Sequence, residues 1–294
     1  MSGRGSGFWL TASASLLWGT VFVAADVGLH YTNAYILVFV RFLVASGVIG
    51  VLALLFNRRL GITQQLRRTP VWLLGMIDAA GFLLQYAGQS LTNASDATLL
   101  ANLAPVLVPI VAWKVSKESV SKSQEVAMVL GFSGLVLMAL PAARLQGRNV
   151  LGDLFLFGAS ASFALFIVLS KRFNAVSTGS ALAVILTITV FLAPAALVLG
   201  RLNPLNFTLG FNGWSASLYM GVICTVIPMV LYLRGLRWIS SSESGALLLL
   251  EVLSGLVLAV SLLGQVPNVF ELVACTTIVA ALAVGSISKS TTTY

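Results

Sequence analysis

Apolar stretches long enough to cross a lipid bilayer follow one another along this whole chain, and no other feature restricts its fold so strongly. A bilayer's hydrocarbon core is about 30 Å thick, which an α-helix crosses in about 17–25 residues. Runs of this kind fall at Phe8–Gly28, Tyr35–Phe56, Val71–Leu91, Ala97–Trp113 and Val126–Leu140. A second set falls at Val150–Ser170, Thr178–Gly200, Gly213–Leu233, Gly245–Leu263 and Val269–Ile287. The run from Val126 is short and is expected to extend outward. Composition agrees, because the 294 residues are 58% hydrophobic and only 9% charged, whereas a soluble domain carries about 25% charged residues. A chain with so few charges cannot cover itself in water. The expected fold class is all-α integral membrane, with ten transmembrane helices.

The loop charges test that count. With a cytoplasmic N-terminus, the inner segments hold Arg4, Arg58, Arg59, Arg67, Arg68, Lys114, Lys117, Lys122, Lys171, Arg172, Arg234, Arg237 and Lys289. The outer loops hold only Arg144, Arg148 and Arg201. This asymmetry places both termini in the cytoplasm by the positive-inside rule. It also accounts for the net charge of +8 without a nucleic-acid partner. Five tryptophans, Trp9, Trp72, Trp113, Trp214 and Trp238, fall near span ends, where amphipathic rings favour the headgroup region; Trp18 alone lies mid-span. Asp96, Glu125, Asp153, Glu243 and Glu271 lie at expected helix N-termini, where a carboxylate meets the positive dipole end. The apolar run from Phe8 to Ala25 exceeds the ~7–15 residues of a leader's apolar region, so a retained first span is expected. Cys224 and Cys275 lie inside apolar runs as packing residues.

The two halves of the chain echo each other. Ala12-Ser13-Ala14-Ser15 recurs as Ala159-Ser160-Ala161-Ser162, an offset of 147, and the same offset carries Asp96 onto Glu243. It also brings Arg58 near Gly200-Arg201. Residues 1–147 and 148–294 are therefore expected to be two five-helix repeats. Because each repeat has an odd number of spans, the second enters the membrane from the opposite side. Inverted pairs of this kind exchange conformations to open a central site to alternate faces.

Three acids remain inside the spans: Asp26, Asp78 and Glu251. Asp78, Phe82, Gln85 and Gln89 share one face of a helix by their spacing. A charge at the bilayer centre costs about 2.5–3.5 kcal/mol, so such residues face protein or a wet cavity. Asp78 is thus either a structural acid or a group that contacts a substrate amine or exchanges a proton. Thr98, Asn102, Pro105 and Pro109 line one face of span four. Proline frees the carbonyl four residues back, so Pro105 leaves that of Ala101 unpaired beside Asn102, as a binding wall or as a packing kink. Pro194 and Pro228 allow the same two readings. Trp18 and Phe163 sit mid-span in helices one and six and are candidate substrate contacts or packing. Asp26 and Arg41 flank a short outer loop and suggest an ion pair, acting as an outer gate or as a static brace. Glu251 is either a proton site or a structural acid, and His30, at a membrane edge, is expected to be inert.

The stretch Ser15-Leu-Leu-Trp-Gly19, the run from Tyr86 through Ala104-Pro105, and Leu250-Glu251-Val252 resemble the EamA-type branch of the drug/metabolite transporter superfamily over nearly the whole chain. In size and span count the chain is similar to YddG-type amino-acid exporters. The family often has Glu-Pro where this chain has Glu251-Val252, so a mirror-image break in span nine is in question. The resemblance implies a central cavity lined mainly by spans one, three, four, six, eight and nine.

An enzyme is not expected. One histidine cannot supply a His-x-x-x-His zinc motif, and no Gly-x-Gly-Asp signature is present, so neither metal nor cofactor is expected. No loop exceeds roughly 15 residues, too short for an extramembrane domain. Phosphate-bearing substrates such as nucleotide sugars call for fixed cations, yet Arg41 is the sole basic residue well inside a span. The expected function is export of amino acids or similar zwitterionic or cationic metabolites by alternating access, with export of cationic drugs or other metabolites as the alternative and nucleotide-sugar-type exchange ranked below it. The expected partners are a small-molecule substrate, the bilayer of a bacterial inner membrane and protons, with the chain acting as a monomer.

Overall fold

The computed structural model describes residues 3–91, 100–139, 149–200, 209–263 and 268–286. All regular structure among them is helical: α1 Gly3–Gly19, α2 Val21–Leu29, α3 Ala34–Leu60, α4 Ile62–Leu66, α5 Thr69–Leu91, α6 Ala104–Val111 and α7 Lys122–Ala139. After these come α8 Val150–Arg172, α9 Thr178–Val198, α10 Gly210–Gly221, α11 Ile227–Leu236, α12 Ser241–Leu263 and α13 Val269–Ser286. Two π-turns extend this set, Ala112–Ser116 after α6 and Val222–Val226 joining α10 to α11. Seven of the expected spans are long and apolar enough to cross a membrane. Those expected from Ala97, Val126 and Val269 overlap the helices Ala104–Ser116, Lys122–Ala139 and Val269–Gly285, the second reaching back to Lys122.

Local chemistry sets many of the helix ends. The side chains of Asn33, Asn149 and Ser177 accept from backbone N–H groups of the first turns of α3, α8 and α9, which satisfies donors that a helix leaves orphaned. Asn268 and Glu271 cap α13 reciprocally, at 2.9 and 3.0 Å, and Ser121 and Gln124 do so for α7. Gly61 ends α3 at φ +66°, a left-handed conformation that costs glycine little. Of the acids expected at N-termini, Glu125, Asp153, Glu243 and Glu271 occupy first turns; Asp96 lies outside the described residues.

The packing repeats itself between the halves. Helix α1 packs on α11 and α12, while its counterpart α8 packs on α5 and α6. Helix α5 packs on α9, as α10 does on α3, and the pairs α3–α9, α6–α12 and α7–α13 each join an element to its own counterpart. These pairings map onto one another when the long helices of the two halves are exchanged, whereas α2 and α4 have no separate counterparts. At the α3–α9 crossing, Thr189 donates to the carbonyl of Phe42 at 3.2 Å, a separation of 147 residues. The interior is a continuous apolar core built from both halves, including Phe42, Ile49, Leu74, Ile185 and Leu233.

The basic segments gather at one end of the bundle. Arg4, at the start of α1, pairs with Glu243 of α12 at 3.3 Å. Lys171, near the end of α8, lies 3.6 Å from Glu118 and donates to the Ile239 carbonyl at 2.7 Å. Arg172 reaches the carbonyl of Val115, and Arg68 that of Phe173. Helix α1 therefore begins where its counterpart α8 ends. At the opposite end, Asn33 reaches the Gly200 carbonyl and Asn212 reaches Tyr31. Trp9, Trp72, Trp113, Trp214 and Trp238 are all exposed, from 39% for Trp72 to 61% for Trp9. Trp18 instead packs on Tyr232, with ring centroids 5.1 Å apart.

Candidate functional site

Two prolines organise the interior. Pro228, at the start of α11, cannot bond the carbonyl of Cys224. That carbonyl belongs to the π-turn Val222–Val226 and accepts instead from Arg41 Nη2 at 2.7 Å. Arg41 Nε donates to Thr225 Oγ1 at 2.6 Å, and the Thr225 hydroxyl donates to the carbonyl of Met220 at 2.8 Å. Pro105 likewise cannot bond the Ala101 carbonyl. Ser160 of α8 donates to it at 3.1 Å and to the Leu100 carbonyl at 2.6 Å. Each irregular segment is thus satisfied by a side chain from the other half, which is the condition for loose backbone within a membrane.

The position matching Pro105 in the second half is Val252, at the same offset of 147. Helix α12 runs unbroken through it from Ser241 to Leu263, whereas helical geometry lapses at Asn102 and Leu103 and resumes with α6 at Ala104. With valine the backbone keeps its N–H, so nothing forces a mirror-image break.

A second discontinuity lies beside the first. Helix α1 stops at Gly19 and α2 starts at Val21. A Cβ at Gly19 would lie 2.6 Å from the carbonyl of Glu251 and collide with Ser254, so glycine permits the close crossing of α1 and α12. Thr20, at the break, bonds the Leu17 carbonyl at 2.7 Å and meets Cys224 Sγ at 3.3 Å, and Tyr219 donates to it at 3.0 Å. The α1–α2 break and the π-turn therefore abut, and Arg41 of α3 ties into the same knot. Such π-turns within helices occur frequently at functional sites.

Around this knot the structure gathers most of the expected residues. Arg41 is 6% and Asp78 4% exposed. The Arg41 guanidinium lies 5.5 Å from the Phe42 ring centroid and 5.8 Å from that of Phe82, within range for cation–π attraction. Phe82 packs edge-on against Phe42 at 5.1 Å and Phe163 at 5.2 Å. Asp78, Tyr86 and Glu251 all lie within electrostatic reach of Arg41, and Tyr232 within that of Glu251. The Tyr232 hydroxyl donates to Ser244 at 3.1 Å. Trp18, Phe82, Gln85, Tyr86, Phe163 and Glu251 each keep partial accessibility.

Asn102 occupies the lapse before α6. Gln89 is exposed near the end of α5. The side chain of Asp26 lies outside the described residues, as does Thr98. Arg41 is placed by its bonds to the π-turn, inside the bundle. Sequence reasoning missed Thr225, Tyr232 and Phe42 as neighbours of the site. Pro228 was the available signal, since the carbonyl it frees is the one Arg41 occupies. Among the described residues no cluster of side chains could hold a metal ion.

This helical, twofold-paired bundle with broken spans around buried charges defines a polytopic membrane protein of the transporter class. The model of the EamA-like transporter family matches it twice, over residues 5–140 and 150–287, and the chain belongs to that family. It is a transporter of the drug/metabolite type and not an enzyme. An uncharacterized transporter of Archaeoglobus fulgidus is 27% identical over 89% of this chain and 90% of its own length. The uncharacterized transporter YyaM of Bacillus subtilis is 26% identical over 78% of this chain and 77% of its own. A solved crystal structure superposes with a TM-score of 0.82 at 22% identity, covering 96% of this chain and 97% of its own, and so shares the fold.

Proposed function

We propose that the protein exports amino acids, or small metabolites carrying both an ammonium and a carboxylate, across the bacterial inner membrane by alternating access. One observation carries this reading: a buried arginine lies within electrostatic reach of two acids, the buried Asp78 and the partly accessible Glu251, one from each half. An arginine offers five N–H donors, and the π-turn takes two of them. The remainder suit a substrate carboxylate, while Asp78 or Glu251 meets the ammonium. Phe82, Phe163 and Trp18 supply an apolar wall for the rest of the molecule, with Gln85 and Asn102 as polar contacts. An acid that alternates between substrate ammonium and proton also offers a route to proton coupling.

In this reading ten spans form two inverted repeats, residues 1–147 and 148–294, with both termini cytoplasmic and the monomer as the working unit. At the basic end, cytoplasmic in this reading, ties join the halves: Arg4 to Glu243, and Glu118 to Lys171 and Ser241. Alternating access requires these ties to break whenever that end opens. Asp26 with Arg41 remains a candidate outer gate. A second reading, export of organic cations, is favoured by the excess of two acids over one cation and by the aromatic faces. Uptake into proteoliposomes of a panel of labelled amino acids, with and without a pH gradient, tests the proposal. Accumulation of amino acids supports it, and uptake of organic cations alone supports the second reading.

A further inference from the structure

A cleft of about 420 Å³ opens on the flank of the bundle between α3, α9 and α11. Leu52, Phe56, Val226, Val230 and Leu231 line it, and Arg59 stands at its edge. Phe56 is 45% and Ile227 38% exposed, so the cleft opens toward the lipid and not toward the interior site. Its basic rim belongs to the last turn of α3, at the end of the bundle where the arginines and lysines gather. No acidic side chain lines it.

An apolar trough with a single cation at its mouth, set at headgroup depth, matches one kind of ligand. An acyl chain can fill such a trough by van der Waals packing, since the bilayer is no less apolar than its walls, while a phosphate is held by a guanidinium in bidentate fashion. Basic pockets between spans on the cytoplasmic side attract anionic headgroups, each cation near the surface contributing about 1 kcal/mol. We infer that this cleft is a binding site for an anionic phospholipid of the adjacent leaflet, its phosphate on Arg59 and one acyl chain along Val226, Val230 and Leu231. Val226 ends the π-turn whose Thr225 and Cys224 hold Arg41. A lipid seated there braces that turn from outside the bundle.

Native mass spectrometry of the full-length protein, titrated with phosphatidylglycerol or phosphatidylcholine of identical acyl chains, tests the site. The wild type is expected to bind the first phosphatidylglycerol about fivefold more tightly. Arg59→Gln should abolish that preference, whereas Arg58→Gln, one residue away but not lining the cleft, should retain it. Val230→Trp, which fills the cleft, should weaken both lipids; if it does not fold, the two arginine variants still decide. Equal affinity of the wild type for the two lipids overturns the proposal, as does equal loss in both arginine variants. Displacement of the lipid by inorganic phosphate at matched concentration also overturns it, since the site would then read phosphate without a chain. The measurement involves no transport, so its failure is distinguishable from failure of the functional reading.

Discussion

Replacing Arg41 with lysine separates the charge of this side chain from its geometry. A lysine keeps the positive charge within reach of Asp78 and Glu251. It cannot reproduce the planar fork that places Nε 2.6 Å from Thr225 Oγ1 and Nη2 2.7 Å from the Cys224 carbonyl. One ammonium on a longer, flexible stem leaves at least one of these unmet. Pro228 already denies the Cys224 carbonyl its partner within the helix, so the loss falls on a buried group with no backbone substitute. A hydrogen bond from a charged donor contributes about 1.5–3 kcal/mol, and stability should fall by that amount. In a chain of this size, the fall corresponds to a drop of roughly 3–10 °C in unfolding temperature. Thermal unfolding of the purified protein in detergent reads it, with Thr225→Val as a companion that removes the second contact while sparing the carbonyl. Arg41→Met should cost more, because it also leaves the buried Asp78 and the partly accessible Glu251 without their counter-charge. If Arg41→Lys unfolds within a degree of the wild type, the guanidinium does not hold the π-turn and the account of Pro228 is wrong.

Asp78→Asn keeps size and hydrogen bonding, so it should unfold like the wild type while its substrate affinity falls about 10- to 150-fold, the loss of one charged hydrogen bond, and its transport loses pH dependence; a wild-type rate and pH profile would leave Asp78 structural. Ser160→Ala strips the carbonyls of Ala101 and Leu100 of their donor and should cost about 1–3 kcal/mol in thermal unfolding. Its counterpart Ser13→Ala, at an exposed position, should change stability by less than about 0.5 kcal/mol, and equal effects would refute the asymmetry. Reporter fusions at Tyr294 and within the Arg58–Arg68 loop should both read cytoplasmic, and an external signal at either would break the inverted-repeat reading.

The spans were legible because each reports its own burial in lipid: the run expected at Thr178–Gly200 forms a helix over Thr178–Val198, and that at Val150–Ser170 one over Val150–Arg172. The absence of a break in α12 was also legible, since a proline either stands at a position or does not, and Val252 stands where the twofold places Pro105. The identity of the groups that satisfy the prolines was not. Ser160 lies 59 residues from Ala101 and Arg41 183 from Cys224, and nothing in local composition encodes pairs that only the packing of the two halves creates. For the same reason the bonds of Arg41 to Thr225 and the Cys224 carbonyl could not be read from its place beside a short loop. The helical spacing of Asp78, Phe82 and Gln85 indicated a common face but not what the face meets. Phe163, brought against Phe82 by the α5–α8 crossing, follows from Gly81, where a Cβ would lie 2.6 Å from its ring.

In the proposed function one site reads both charges of a zwitterion, Arg41 the carboxylate and Asp78 or Glu251 the ammonium. Competition during proteoliposome uptake tests it most directly, using the best-transported amino acid as tracer. The competitors are that amino acid, the corresponding amine lacking the carboxylate, and the corresponding acid lacking the ammonium. The account predicts strong competition by the intact amino acid and a loss of about tenfold or more for either truncated analogue, since each forfeits a charge-assisted contact. Equal competition by the amine and the amino acid would contradict it, because the carboxylate would then be unread and Arg41 would serve only to hold the π-turn.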